Sequence, residues 1–331
     1  MTTPPRLPTR RQFALAAGST LFAALPLTAA AQGAADYPNK PIELVVPFGA
    51  GGGTDVLARV FAEAAKKHFS QPITVQNKPG ASGGIGLAEV VASKPDGYKI
   101  AMITVEMAII PHMGIAKFSP EGDFTPIVRL NADPIVLTVR AEAPWNTVEE
   151  FLEAAKKSKE PMRFGNAGVG GLSHLAAAAL QQKIGATFTH VPFQGNAPAV
   201  VALLGGHIDA VTSSPSEVLQ QVASGKLRSL AVLSEQRIKG GFENVPTLKE
   251  RRMDLVMGTW RGLAAPKGLP ADVTARLMAA AIRTANEPSV KEGMEKLALG
   301  YSVADGEVFK RQIAADSAQF RQLIEQLNLK N

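Results

Sequence analysis

A strand, a glycine-rich loop and a helix recur in the same order along this chain, and that repeat restricts the fold more than any other feature. Pro41–Phe48 is an apolar run that reads as a buried strand. Gly49–Gly53 form a turn, and Thr54-Asp55 open a helix with apolar residues at Val56, Leu57, Val60, Phe61 and Ala64. A second strand, Ile73–Gln76, runs into the loop Pro79–Gly86 and a helix over Leu87–Ala92; Lys99–Val105 is the third strand. After an extended stretch, Asp133–Arg140, the cycle restarts. It gives a helix over Val148–Ser158 capped by Thr147, a strand Met162–Gly165, a loop Gly168–Gly171 and a helix Ser173–Lys183. A strand Thr187–Pro192 and a helix Ala197–Leu204 follow. Strands Ile208–Thr212 and Leu227–Leu233 flank a helix Ser216–Ser224. Leu255–Leu263 reads as extended, and from Ala271 onward the chain is mostly helical. Alternating strands and helices imply an α/β fold with parallel sheets covered by helices. Two such cycles in 331 residues fit two domains of roughly 150 residues each.

The N-terminus reads as an address rather than as part of that fold. Arg10-Arg11 precede an uncharged stretch, Phe13–Ala31, that ends in the small residues Thr28-Ala29-Ala30-Ala31. Thr9–Leu15 has the form of a twin-arginine export signal, with an ordinary secretory signal as the alternative. Residues 1–31 are therefore expected to be removed near Ala31, leaving the protein in the periplasm. The leader also explains half of the formal charge of +6: taking its three arginines from 35 basic residues leaves +3 against 29 acidic ones. No basic cluster with interleaved aromatics accompanies that charge, so nucleic acid is not expected as a partner. The absence of cysteine excludes disulfides, thiolate metal sites, cysteine nucleophiles and lipid attachment through cysteine.

The chemistry then rests on three loops: Phe48–Asp55, Gly80–Gly86 and Gly165–His174. Each leaves a strand and enters a helix. Glycine lets a backbone approach a ligand closely, and a helix N-terminus offers unpaired N–H groups with partial positive charge. Such loops hold anions without needing arginine. Ligands on open α/β sheets bind where strand ends meet helix starts, and two lobes facing each other there make a cleft. Any one of these loops could equally be an ordinary tight turn; three in matching positions point to a ligand bearing carboxylate.

Other chemistries match less well. No Lys-Ser/Thr follows the glycines, so no phosphate loop is present, and Gly49–Thr54 has threonine where a dinucleotide fingerprint needs its last glycine. Gly80-Ala81-Ser82-Gly83-Gly84 fits the short G-x-S-x-G pattern, which keeps a serine esterase using Ser82 open as a reading of another class. The five histidines show no metal-ligand spacing. Neither catalytic residue, metal nor cofactor is expected.

Longer motifs carry a family resemblance. Tyr37–Ile42, Val46-Pro47-Phe48 with Gly51–Asp55, Asn77–Gly86, Lys94–Tyr98 and Asp123–Ile127 occur in order. Gly168-Val169-Gly170 with Ser173-His174-Leu175, His190–Gly195, Gly225–Val232, Val245-Pro246-Thr247 and Trp260–Pro266 continue it. Together they resemble the Bug/TctC family, the substrate-binding proteins of tripartite tricarboxylate transporters, over essentially the whole chain after the leader. The resemblance implies a two-lobed type II periplasmic-binding (Venus flytrap) fold: two mixed or parallel sheets flanked by helices, with a hinge between. It implies a small organic carboxylate as ligand and membrane transporter subunits as partners; the sequence gives no sign of a permanent oligomer, so a monomer is expected. A ligand-presenting receptor for a sensor kinase is the alternative within this fold. Lobe 1 is expected at residues 36–140 with 260–331 and lobe 2 at 141–259. The hinge is expected near Val139–Ala141 and Met257–Trp260.

By match to the motifs, Phe48, Gly52, Thr54 and Asp55 belong to the first binding loop, and Ala81, Ser82 and Gly83 to the second. Ala167, Gly171, Ser173 and His174 face them, with Phe193, Gly195 and Asn196 on a further loop. Three residues depart from the family pattern: Phe193 stands where tyrosine is common, and Glu106 and Arg261 replace uncharged residues. A carboxylate at an anion cleft repels a simple polycarboxylate. Glu106 therefore points to a ligand with an amino or other donor group beside its carboxylate, unless it faces solvent or pairs with Arg261.

Overall fold

Strand β1 (Ile42–Val46) is Ile-Glu-Leu-Val-Val, and its apolar side chains are fully buried. With Leu44, Val45 and Val46 buried in succession, the strand needs cover on both faces, which a position between two parallel neighbours provides. The computed structural model describes residue 1 and residues 37–329, of which residues 38–329 pack as one body; apart from Met1, the expected leader, residues 1–31, lies outside the described residues. Helix α1 (Gly53–Ala65) follows β1, then β2 (Ile73–Asn77), a single tight helical turn at Ala81–Gly83, α2 (Gly84–Val91) and β3 (Lys99–Thr104). Strands β2 and β3 pair parallel to β1 on its two sides.

Strand β4 (Phe124–Arg140) is the longest, at 17 residues, and it belongs to both sheets. Beyond it come α3 (Val148–Lys157), β5 (Met162–Asn166), α4 (Leu172–Ile184), β6 (Phe188–Pro192) and α5 (Asn196–Leu204). Next are β7 (Ala210–Ser213), α6 (Pro215–Ala223), β8 (Leu227–Leu233) and β9 (Gly258–Pro266). The chain closes with α7 (Ala271–Ala285), α8 (Pro288–Lys296), β10 (Tyr301–Asp305) and α9 (Gly306–Gln326). From Phe124 to Pro134, β4 pairs antiparallel with β9; from Ile135 onward it pairs with β7 and β8. The first sheet thus holds β2-β1-β3-β9-β4 with β10, and the second holds β4-β7-β5-β6 with β8.

The sequence shows only the second half of β4 as a strand. The first half, with Pro126 and two register shifts against β9, breaks the alternation that marks a strand. Its partners change at Pro134–Ile135, ahead of the expected crossing at Val139–Ala141. The chain returns beside it: Ile135 N donates to Met257 O and Met257 N to Leu233 O, and Pro134 faces Gly258. Both residues suit a crossover. Proline has no N–H for a ladder. A Cβ on Gly258 would lie 2.8 Å from the Asp133 carbonyl oxygen, so the backbones meet only because it is glycine.

One apolar cluster runs through the whole body, from Val45, Leu87 and Ile103 to Phe164, Leu175 and Leu180. Helix α9 contributes Phe309, Ile313, Phe320 and Ile324 to it, and its last turn reaches α4, where Gln182 Nε2 donates to Gln326 O at 3.2 Å. Helix α9 therefore packs along β4 and β10 and reaches α4.

Candidate binding cleft

The loop between β1 and α1 is held by one buried carboxylate. Asp55 accepts from Gly51 N (2.9 Å), Asn77 Nδ2 (2.9 Å) and both Nε and Nη2 of Arg59 (3.0 and 2.9 Å). Burial pushes the Asp55 carboxyl upward, but these donors outweigh it and hold the pKa below the ordinary value. Asn77 Nδ2 also reaches Phe48 O at 3.0 Å. Asp55 is thus spent on shaping the loop, and it does not line the cavity that the loop borders.

That cavity lies where the two sheets meet. Its volume is about 40 Å³, in a measure where one water needs roughly 10–15 Å³, so it is a small cavity with room for a few water-sized groups. Phe48, Gly52 and Thr54 line it from one side with Glu106, and Ala167, Ser173, Gly195 and Asn196 line it from the other. Of the helices that start at its wall, α1 and α5 have a cavity-lining glycine at the N-cap (Gly52 and Gly195) and no side-chain cap. Glycine N-caps leave the helix-end N–H groups open to whatever occupies the cavity.

The other expected residues lie elsewhere. Ala81, Ser82 and Phe193 border a separate shallow pocket with Gly168 and Val169. Ser82 Oγ donates to Val169 O at 2.6 Å, and its backbone is left-handed at φ 52°, like that of Ala81 at φ 49°. Gly83 takes φ 94° at the start of α2, and a Cβ there would lie 3.3 Å from Pro47 Cβ. Gly171 is the N-cap of α4 and borders neither pocket. The Ser82 hydroxyl is therefore a bridge between the two halves of the cleft.

His174 and Ser173 hold the facing loop. Ala167 N donates to Ser173 Oγ (2.8 Å) and Gly170 N to His174 Nδ1 (3.1 Å). His174 packs edge-on to His190 with ring centres 4.6 Å apart. Burial and the neighbouring His190 push the His174 pKa down to about 4, so the ring is neutral and its Nδ1 can accept.

Arg261, buried within β9, joins three segments at the cavity. Its Nε donates to Thr54 Oγ1 (3.0 Å), Nη1 to Asp133 Oδ2 (2.9 Å) and Nη2 to Ser214 Oγ (2.8 Å). Asp133 in turn accepts from Asn131 Nδ2 (2.6 Å) and Gly300 N (2.5 Å). A guanidinium with a carboxylate partner and two hydroxyl acceptors is a satisfied buried charge. Glu106 is 8 % exposed and lines the cavity, accepting from Thr104 Oγ1 at 2.5 Å. It neither faces bulk solvent nor pairs with Arg261, whose ion pair is with Asp133.

Ser214 and Glu217, which motif matching does not single out, also line the cavity. Glu217 Oε2 accepts from Ser214 N (3.0 Å) and Asn196 Nδ2 (2.8 Å). The visible signal was Ser214-Pro215-Ser216-Glu217, a capping-box pattern that announces a helix start rather than a ligand.

Two facing lobes around a cavity walled by helix N-termini define a solute-binding protein, and similarity to known proteins gives the family. Residues 57–329 match the tripartite tricarboxylate transporter family receptor. A Cupriavidus necator protein described as a UPF0065 protein in the gbd 5' region is 33% identical over 97% of this chain and 98% of its own length. A crystal structure of a TctC solute binding protein from Polaromonas, without ligand, is 53% identical over 88% of this chain and 99% of its own, with a TM-score of 0.66. MatC from Rhodopseudomonas palustris with bound malate is 25% identical over 87% of this chain and 100% of its own, with a TM-score of 0.81. The chain belongs to the TctC family of periplasmic solute-binding receptors, which are not enzymes.

Proposed function

We propose that this protein captures a small organic carboxylate between its two lobes in the periplasm and delivers it to a tripartite tricarboxylate-type membrane transporter. The cavity walled by the glycine-capped starts of α1 and α5 carries this reading. Its size excludes large occupants, and helix ends without side-chain caps favour an anionic group. MatC, 25% identical, was solved with bound malate, a small acid of the class proposed here.

Lobe 1 comprises residues 38 to 134 with the segment from 258 onward, and lobe 2 the residues between, with the hinge at Pro134–Ile135 and Met257–Gly258. The contacts across the cleft are closure contacts: Ser82 to Val169, Arg261 to Ser214, and Gly49 against Gln194 O. The ligand-free Polaromonas protein is the more alike in sequence yet superposes less well than malate-bound MatC. A different angle between similar lobes is our reading of that inversion, and hinge closure around a ligand is a standard motion of this architecture.

A thermal-shift screen of the protein without residues 1–31 against mono-, di- and tricarboxylates, aromatic acids and amino acids tests this reading. A ligand that binds only the folded state raises the midpoint by mass action. A concentration-dependent rise with one class of acid is expected; no rise with any acid, on protein freed of bound ligand by unfolding and refolding, overturns it.

A further inference from the structure

The charges around the cavity do not suit a simple dicarboxylate. Among the described residues Arg261 is the one cation that lines it, and that charge is taken up by Asp133 at 2.9 Å. Glu106 and Glu217 also line the cavity, and neither has an ion-pair partner among the described residues. The hydrogen bonds that satisfy them use Oε2 in each case. Glu217 Oε1 lies on the side of Gly52, 3.9 Å from where a Cβ on that N-cap residue would stand.

Asn196 adds an independent acceptor. Its Nδ2 donates to the Glu217 carboxylate, which fixes the amide orientation and makes the opposite atom the oxygen. That oxygen, Oδ1, is buried at the same cavity and has no hydrogen-bond partner. A buried acceptor left unpaired costs roughly 1–3 kcal/mol, so a donor brought by the occupant would be strongly favoured there.

We propose that Glu106, Glu217 and Asn196 Oδ1 form a subsite for a positively charged, hydrogen-bond-donating group, so that the ligand is a zwitterion carrying an ammonium as well as a carboxylate. This rests on the carboxylate reading above and adds the second half of the ligand. The two carboxylates come from opposite sides of the cleft, Glu106 just after β3 and Glu217 in the first turn of α6. An ammonium between them has donors for all three acceptors and removes a repulsion that closing the lobes creates. Burial pushes the Glu217 carboxyl above the ordinary range against Arg261 and the Ser214 and Asn196 donors, and the charge of Glu106 adds a smaller push in the same direction. A second ligand carboxylate in the same place would add a third negative charge.

The experiment is isothermal titration calorimetry with probe pairs matched in methylene number: glycine with malonate, β-alanine with succinate, and 4-aminobutanoate with glutarate. 1,3-Diaminopropane is the probe without a carboxylate. In the wild type the best amino acid should bind at least about tenfold tighter than its matched diacid, the scale of one hydrogen bond to a charged group. Glu106→Gln, which keeps the size and an acceptor for Thr104, should weaken the amino acid by about tenfold or more and bring the diacid level or ahead. Glu217→Gln keeps a capping-box side chain and should act in the same direction. Diacids binding as tightly as amino acids, with neither variant changing the ratio, would overturn the cation subsite while leaving the carboxylate reading intact. Binding of the diamine but of no acid would overturn the carboxylate reading and with it the zwitterion. Binding of no probe would overturn both.

Discussion

The loops after β1 and after β2 look alike in sequence, each a glycine-rich exit from a parallel strand into a helix, yet they do different work. The first is braced from behind by Asp55 and presents Gly52 and Thr54 to the cavity. The second places Ala81 and Ser82 in left-handed backbone and turns Ser82 toward the opposite lobe, where it binds Val169 O. Composition finds loops that can approach something closely. Whether that something is a ligand or the other lobe depends on where two distant segments meet, and no local pattern encodes that.

The largest effect tests what braces the first loop from beneath. Arg261→Met leaves Asp133 buried without its cation, and breaking a buried pair by removing one partner costs about 3–5 kcal/mol. Urea denaturation should show a loss of that size, together with loss of ligand binding. A loss below about 1 kcal/mol would mean that the Arg261 bonds to Thr54, Asp133 and Ser214 do not organise the site.

The facing loop offers the next test. His174 has a folded pKa of about 4 against the ordinary 6.5, because burial and His190 disfavour its charged form. Between those values the unfolded chain binds more protons, so stability falls as pH drops from 6.5 toward 4 and levels off below. The contribution is at most about 3 kcal/mol. Chemical denaturation across that range should show a steeper loss in the wild type than in His174→Gln, which cannot titrate. Equal slopes would contradict the buried neutral ring.

Ser82→Ala sharpens the contrast between the two loops. It removes one bridge across the cleft and no cavity wall, so ligand affinity should fall by only about fivefold, near the worth of one neutral hydrogen bond. A complete loss of binding would put Ser82 on the ligand instead. The smallest effect belongs to a helix start far from the cavity. Thr147 caps α3 in a capping box with Glu150, and Thr147→Ala should cost about 1 kcal/mol of stability and leave affinity unchanged.

Much of the fold was legible because buried parallel strands and capped helices announce themselves locally: β1 and the α3 start at Thr147 read directly, whereas α1 begins at Gly53 behind a Gly52 N-cap, ahead of the Thr54-Asp55 start that the sequence suggests. The first half of β4 was not, since Pro126 and its register shifts against β9 disguise it. Within the candidate site, Phe48, Gly52, Thr54, Ala167, Ser173, Gly195 and Asn196 were found by motif and Glu106 as a departure from the family pattern, and all line the cavity. Asp55 and His174 share those motifs but brace the loops from behind, as their hydrogen bonds show. Glu217 escaped because a capping glutamate looks the same whether or not its free oxygen meets a ligand.

Solution scattering of the protein without residues 1–31, free and with the acid that gives the largest thermal shift, tests the central claim most directly. Closure of two lobes about Pro134–Ile135 and Met257–Gly258 predicts a smaller radius of gyration on saturation, and a weaker contraction in Ser82→Ala at the same ligand concentration. An unchanged radius of gyration at saturating acid would contradict the account of a cleft that closes on its ligand.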